Sequence, residues 1–506
     1  MRLLTCMMGH QEPQKDLFSY HIDLDKRVRP DNPLRRVAEK IDFSFVRPEV
    51  ASFYGKNGNE SVDPVIILKM MFLLFYDDVG SERELMRIVA ERLDYMWFLG
   101  YGLDDEIPNH SVLSKARTRW GPEVFGTFFI RMVAQCVEAG LVDGKKIHVD
   151  SSLIDANAAK DSVLKGSPEL IAALKQAYQA QEMKLEDTST SPYYEAVNDT
   201  LMSKTDPDAA MVRRSGDTSR PRYHHHRVVD DAQGVITAVE TTPGSIAENK
   251  KLVEVVEQHE RNTQKAVQTV VADHKYGTAE NYIAGQRAGW TTHMGDVLGK
   301  QNHADKQSGI FPESAFTYRP EDNTYLCPAG QVMQPRRLHW FKRTWEYQSP
   351  KQVCAACALR SQCTRAKVNG RTIQRHEHQE LLDRGRQQAH SRQARKDRQR
   401  RQAIIEQSFA DAANNHGFKR SRWRRLWRQQ IQDYLIAAIQ NIRILLRRAG
   451  KDASAGAAAL KIVPIEAVLM VFSLLRHSAL KQLTEKITNH LRQLITYIFG
   501  NTPSET

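Results

Sequence analysis

"VVADHKYGTAENY", Val270–Tyr282, runs an apolar segment into an acidic residue, Asp273, just before a basic, glycine-containing turn and a new helix. The preceding residues, "AVQTVVAD", are rich in β-branched side chains and read as a strand; a helix follows over about Thr278 to Arg287, with Gly289 to cap it. A companion lies upstream in "IHVDSS", where Ile147 and Val149 fall on one face of a strand and His148 and Asp150 on the other. Between them, "YHHHRVVDDAQGVITAVETTPGS" reads as a hairpin turning at Asp231 to Gly234. Strands followed by helix, strand and helix point to an α/β sheet. Functional side chains emerge at strand ends in such sheets, so Asp150 and Asp273 can converge although 123 positions separate them. The competing reading makes each aspartate a turn or cap residue.

Residues 30 to 140 read mainly as helix. "DPVIILKMMFLLFYDD" is too short to cross a bilayer and carries Lys69, which makes it a core helix. In "EIPNHSVLSKARTRWG", Asn109 and Ser111 can cap a short helix ended by Gly121 and decorated by Lys115, Arg117 and Arg119. That pattern suits a helix-turn-helix DNA reader, and equally a helical bundle with a solvated charged face. The polar stretch from about Lys184 to Arg222 reads as an inserted loop. Near the end, Leu435, Ile439, Ile442 and Leu446 form a helical stripe, and "PIEAVLMVFSLLRHSAL" gives a further apolar helix.

With 506 residues, 41% of them apolar, the chain can build several ordinary cores, and its net charge of +12 invites a polyanionic partner. The excess is localised: 17 Lys/Arg face four Asp/Glu between Arg384 and Arg448, while the rest is close to balanced. Such a concentration is the footprint of nucleic-acid binding. "DRGRQQAHSRQARKDRQRR" offers charge without fixed shape and suits phosphate contact rather than base reading. Trp423 and Trp427 are interleaved with Arg420, Arg422, Arg424, Arg425 and Arg428, which suits either a DNA channel or tryptophans packed beneath an arginine face. The N-terminus lacks a signal-peptide pattern and no apolar run reaches membrane-spanning length, so a cytoplasmic, nucleoid-associated protein without membrane contact is expected.

A third carboxylate lies in "RRQAIIEQSFADAANNHGF": Glu406 sits at the margin of the helical face formed by Ile405 and Phe409. Three such carboxylates meeting could hold two divalent cations about 3.5–4 Å apart, the arrangement used for phosphodiester displacement. Oxygen ligands suit Mg²⁺, with Mn²⁺ as a substitute.

Five blocks in order, "IHVDSSLIDANAA", "TDPDAAMVRR", "VVDDAQGVITAVETTPGSIAENKKL", "VVADHKYGTAENYIAGQRAGW" and "IEQSFADAANNHGFKRSRWRRLWRQQIQDYLIAAIQNIRIL", resemble those of DDE transposases of bacterial insertion sequences. "RELMRIVAERLDYMWFLGYGLDDEIPNHSVLSKAR" resembles the N-terminal domain of the same group, and the likeness runs from about residue 25 to 450. It implies a ribonuclease H-like mixed sheet flanked by helices, preceded by an all-helical domain and interrupted by a small cysteine-rich insertion. The implied division is a helical DNA-binding domain over 25–140, catalytic parts over 141–299 and 376–450, the insertion over 300–375 and a helical tail over 451–506. Asp150 on the first strand, Asp273 after the fourth and Glu406 on the late helix would be the metal-binding triad. Related transposases flank that Glu with a Tyr, an Arg and a Lys; here Gln402 and Ala413 stand at the Arg and Lys positions, with Arg401 and Lys419 as candidate substitutes.

Cys327, Cys354, Cys357 and Cys363 are spaced C-x26-C-x2-C-x5-C and can hold tetrahedral zinc, or an iron–sulfur cluster with the same ligands. Unliganded structural cysteines are the bland account. Cys136 reads as a buried apolar residue, and Cys6 pairs with nothing by spacing. Of "YHHH", only His224 and His226 could share a ligand, since neighbours on a strand point apart, and plain strand packing competes with that reading.

The expected function is cleavage at the ends of a mobile element and transfer of the freed 3′-hydroxyl into double-stranded target DNA. Pairing two ends implies a homodimer. The alternatives are a transposase-derived DNA-binding protein that no longer cuts, and a redox module centred on the cysteines.

Overall fold

Asp63 opens the best-buried helix of the N-terminal region: its carboxylate accepts from the Val65 amide at 2.9 Å, and Pro64 takes the first helical position, where no amide is needed. The computed structural model describes residues 23–55, 60–182, 200–213, 216–296 and 309–452. One compact unit spans Met1–Arg448 and a second spans Ala449–Thr506; the expected tail helix beyond Asp452 and Cys6 lie outside the described residues.

Seven helices come first: α1 Leu24–Arg27, α2 Pro33–Lys40, α3 Val46–Val50, α4 Pro64–Tyr76, α5 Glu82–Glu91, α6 Leu93–Leu99 and α7 Ser111–Glu138. α4 is apolar on nearly every side and is correspondingly buried all round. α5 starts on the Ser81 hydroxyl and α6 ends at Gly100, whose φ of +87° suits glycine. The short helix expected to end at Gly121 does break there, at φ +67°, but Pro122 restarts it at once. Phe43, Phe72, Phe98 and Phe128 cluster edge-on and tilted at the centre of this core.

The central sheet contains β1 Lys146–Asp155, β4 Ala210–Arg213, β5 Ser219–Asp230, β6 Ile236–Pro243, β7 Thr269–Val271 and β8 Thr291–His293. Its main order is β6-β5-β1-β7-β8, with β4 pairing the start of β5. β5 pairs antiparallel with β1 on one side and with β6 on the other, whereas β7 and β8 run parallel to β1. This mixed order is the ribonuclease H-like sheet. A hairpin turn at Asp231–Gly234 joins β5 to β6. A separate pair, β2 Val163–Lys165 and β3 Leu201–Ser203, flanks α8 Pro168–Glu182.

The supposed loop over 184–222 is therefore corrected: β3, β4 and the start of β5 lie within it. Its polarity misled because the polar groups are answered in place. Arg222 is buried, yet its guanidinium meets Asp155 at 2.6 Å and Asp217 at 2.5 Å.

Ile147 and Val149 face α9 Leu252–Thr263, packing with Val255, Val256 and Tyr276; burying each aliphatic side chain contributes roughly 1.5–3 kcal/mol. α10 Ala279–Arg287 follows β7, capped by the Thr278 hydroxyl. Gly277 is required by close approach: a Cβ there would lie 1.8 Å from the Gly295 carbonyl oxygen. Gly277→Ala is expected to cost about 1–3 kcal/mol or more through overpacking, read as a lowered Tm; an unchanged Tm would contradict this packing.

His259 on α9 ties two elements together, its Nε2 at 3.1 Å from the Gly144 carbonyl and its Nδ1 at 2.6 Å from the Thr237 hydroxyl. Burial holds its pKa down to about 4, and that of buried His416 likewise to about 4. The unfolded chain thus takes up protons on these rings first, near an ordinary histidine value of about 6.5. Stability is expected to fall as pH drops from about 6.5 to 4, by up to about 3 kcal/mol per ring. Urea midpoints across that range test this, and a flat profile would contradict it.

A five-stranded antiparallel sheet occupies the cysteine-rich region: β9 Thr317–Arg319, β10 Thr324–Leu326, β11 Val332–His339, β12 Thr344–Gln348 and β13 Thr372–His376, joined in sequence order. Its small core is Phe316, Tyr325, Met333, Tyr347 and Ile373; α11 Lys351–Ala355 carries Cys354, α12 Arg360–Cys363 carries Cys363, and Cys357 lies between them. α13 Gln379–Ala389, α14 Arg392–Asn415 and α15 Leu426–Asp452 complete the chain as described. On α15 the stripe Leu435, Ile439, Ile442 and Leu446 is buried in one core with α4, α7 and Ile405 of α14.

Candidate active site

β1 and β7 pair in parallel with Ile147 opposite Val270 and His148 opposite Val271. Two residues further along come Asp150 and Asp273; the expected strand end holds for Asp273, two residues past β7, but not for Asp150, which lies midway along β1 because β5 pairs with β1 as far as Asp155. Asp273 is extended and caps the following turn, its Oδ1 accepting from the Lys275 amide at 2.8 Å. Asp150 accepts from the Ser151 amide at 2.8 Å and from Arg401 Nη1 at 2.6 Å. Burial raises the Asp150 pKa, Arg401 opposes that, and the charge of Asp273 adds to the rise.

Arg401 reaches Asp150 because α14 lies across β1. Asp397 meets Lys146 at 3.0 Å and His293 at 2.7 Å; Arg400 meets Asp231 at 2.6 Å, and Asp231 meets His148 at 2.7 Å. Ser408 receives Arg227 at 2.7 Å. These positions recur at helical spacing, so one face of α14 is pinned to the polar face of β1. Glu406 lies off that face: it is exposed and accepts from Gln402 of its own helix at 3.0 Å. The structure thus brings Asp150 and Asp273 side by side and leaves Glu406 directed along α14. Among the described residues no three His, Cys, Asp or Glu side chains stand in metal-binding geometry.

Glu248, which received no role from the sequence, and His224 meet at Ser151, the residue after Asp150. Glu248, in "GSIAENKK", accepts from the Ser151 hydroxyl at 2.6 Å and from Lys275 Nζ at 2.7 Å. His224 stands 2.9 Å from the same hydroxyl and 2.9 Å from the Ile246 carbonyl. His225 meets Asp433 at 2.9 Å, and His226 meets Thr242 at 2.9 Å. The three histidines are buried strand residues, each with a hydrogen-bond or ion-pair partner.

The basic residues divide by exposure. Lys115 and Arg119 of α7 are exposed, whereas Arg117 is buried, paired with Glu82 and stacked 3.9 Å over Trp423. Arg422 turns inward to Asp78, and Arg425 is buried beside Asp208 at 3.3 Å. Lys419, Arg420 and Arg424 are exposed; Lys419 reaches Ser152 at 2.7 Å. Arg428 lies 4.5 Å over Trp427. Trp423 packs between Arg117 and Phe75, so packing accounts for this tryptophan. Arg117, Arg422 and Arg425 act as internal ties, a distinction that alternating Arg and Trp in a sequence does not carry.

Cys327, Cys354, Cys357 and Cys363 line one cavity of about 30 Å³ beside Phe311, Phe316 and Met333, and all four are free thiols. Burial pushes the Cys363 thiol up, Arg371 opposes, and the other three cysteines add to the rise. The Gln331 amide points to Cys327 Sγ at 3.4 Å, and a Cβ on Gly370 would lie 2.5 Å from Cys354 Sγ. Cys136 is wholly buried, with its thiol pushed up to about 12.

No helix among the described residues is long and apolar enough to cross a membrane. No curated protein matches the chain. A solved structure described as "Mos1 transposase paired-end complex with left transposon end" matches at 10% identity, over 45% of this chain and 57% of that one, with a TM-score of 0.16. The chain thus spans little more than half of that protein. Two family models match: a transposase domain (DUF772) over residues 22–119 and a transposase DDE domain over residues 326–446. The chain is thus similar to transposases in two separate segments, which lie in chain order on either side of the mixed sheet that bears Asp150.

Proposed function

We propose that the protein binds the ends of its own element, hydrolyses a phosphodiester at each, and joins the freed 3′-hydroxyl to target DNA. The observation that supports this reading is the parallel register of β1 and β7, which leads toward Asp150, midway along β1, and Asp273, two residues past the end of β7. Asp150, Asp273 and Glu406 would hold Mg²⁺ or Mn²⁺; the two aspartates supply oxygen donors of the right chemistry, and Glu406, exposed on α14, is free to turn toward them. Such cations, when bound, activate the attacking oxygen and stabilise the leaving one. The chain's part is to fix the carboxylates on rigid strands and to hold DNA. Lys115, Arg119, Lys419, Arg420, Arg424 and Arg428 would grip the backbone, and Arg401, released from Asp150, could meet the strand end. Two ends require at least two protomers, so the active species is a homodimer on DNA in the cytoplasm, at the nucleoid.

Labelled DNA from each flank of the coding region, with Mg²⁺, tests the reading: nicks at a fixed boundary support it. Folded protein that binds those ends without cutting favours the non-cutting alternative, which Gln402 and the outward-lying Glu406 motivate.

The four cysteines would hold zinc, and their free thiols around one small cavity support that. Metal analysis is expected to find about one zinc per chain in a colourless protein, with chelation or Cys354→Ser melting the five-stranded sheet. Visible absorption from an iron–sulfur cluster would contradict this.

A further inference from the structure

The tip of the β11–β12 hairpin carries an aromatic side chain that the fold does not use. Here the chain reads "RRLHWFKR", Arg336 to Arg343, and reverses through a short 3-10 turn, Trp340–Lys342. Trp340 is 79% exposed, more than any other large apolar side chain among the described residues. The core of this sheet closes without it: Tyr325, Met333 and Tyr347 fill the interior, and Trp345 packs against them.

Cations flank the indole. Arg336, Arg337, Lys342 and Arg343 are all exposed, and over 332–348 these four face a single carboxylate, Glu346, which His339 meets at 3.0 Å. Arg343 lies 2.9 Å from Glu377, but both are solvated, and an exposed pair of this kind yields readily to a competing anion. Arg336 is the extra residue where the register of β11 shifts against β12, and its guanidinium donates to the Gln348 side chain. Arg343 holds a left-handed backbone, at φ +49°, where glycine or asparagine is the ordinary choice. An open aromatic face among cations fits a nucleic-acid strand whose bases are unpaired: indole stacks on any base, and the cations take the phosphates on either side. Self-association through the same tip would instead set four cations against four.

We propose that the tip of the β11–β12 hairpin binds unpaired DNA, with Trp340 stacked on a base and Arg336, Arg337, Lys342 and Arg343 on the flanking phosphates. This rests on the reading of the chain as a DNA-binding protein. It gives the five-stranded sheet a contact of its own, apart from the basic residues of α7 and of the segment after α14.

The test is the Kd of the full-length protein for two fluorescently labelled probes, read by anisotropy: a duplex interrupted by unpaired thymines, and a fully paired duplex of the same length. Trp340→Ala is expected to raise the Kd for the interrupted probe roughly 5–150-fold, the loss of one stacked base, and that for the paired probe by less than about twofold. Trp340→Phe keeps a stacking face and should stay within a few-fold of the parent. Arg337→Gln with Lys342→Gln should flatten the slope of log K against log salt by about 1.4, the share of two phosphates on a single strand. These side chains are exposed, and melting curves confirm that each variant is folded. Unchanged binding of the interrupted probe by Trp340→Ala would overturn the hairpin contact and leave the cleavage reading standing. Equal losses on the two probes would overturn stacking on an unpaired base. A variant altered only in its sedimentation without DNA would assign the tip to self-association and overturn the proposal. A parent that binds neither probe would overturn this contact and the DNA-binding reading together.

Discussion

Asp150→Asn is expected to abolish cleavage and strand transfer, by at least about a thousandfold, while DNA binding persists. The substitution keeps size and one hydrogen-bonding oxygen but removes the charge from a half-buried position midway along β1. A cation bound there would lose several kcal/mol of its hold on the reacting oxygens, which is the barrier change a thousandfold represents. Binding survives because the exposed basic residues of α7 and the segment after α14 lie on other elements. The variant should also free Arg401, whose partner at 2.6 Å is this carboxylate. Gel-based cleavage beside a mobility-shift titration checks both halves. Cleavage within tenfold of the parent would contradict the assignment.

The second large effect concerns stability. Arg227 pairs in register with Asp150 and is fully buried, donating to His225 and to the carbonyl and hydroxyl of Ser408 while lying over the Phe409 and Phe418 rings. Burial pulls its pKa down to about 10 against the charges of Asp433, Asp411 and Asp150. Arg227→Ala removes the cation and leaves the His225–Asp433 pair without it, so about 3–5 kcal/mol of stability should be lost. Arg227→Lys should recover only part, since an ammonium cannot reproduce the flat, forked contact with two rings and Ser408. Urea unfolding measures it; a loss under about 1 kcal/mol would show that the network is not structural.

The strands, the hairpin and the helix after Asp273 were legible because periodicity and turn chemistry agreed with the tertiary fold. The alternation in "IHVDSS" does place Ile147 and Val149 toward α9 and Lys146, His148 and Asp150 toward α14. The stretch before Tyr223 was misread as loop because its strand is polar, and its pairing is evident only when Arg222 meets Asp155 and Asp217. Glu248 carried no sequence signal: it follows a Pro-Gly turn, and only the folded sheet brings it to Ser151. Equally, nothing in the one-dimensional pattern separates Arg117, Arg422 and Arg425, which tie elements together, from Arg420 and Arg424, which face solvent. Burial of an arginine depends on which carboxylate or ring the fold supplies.

The most direct measurement of the central claim is strand transfer. Flank DNA with an exposed, labelled 3′ end is incubated with the full-length protein, Mg²⁺ and a supercoiled plasmid. The account predicts label joined covalently to the plasmid by the parent and absent with Asp150→Asn or Asp273→Asn. Folded, DNA-bound parent protein that leaves the plasmid unlabelled with Mg²⁺ and with Mn²⁺ would contradict it.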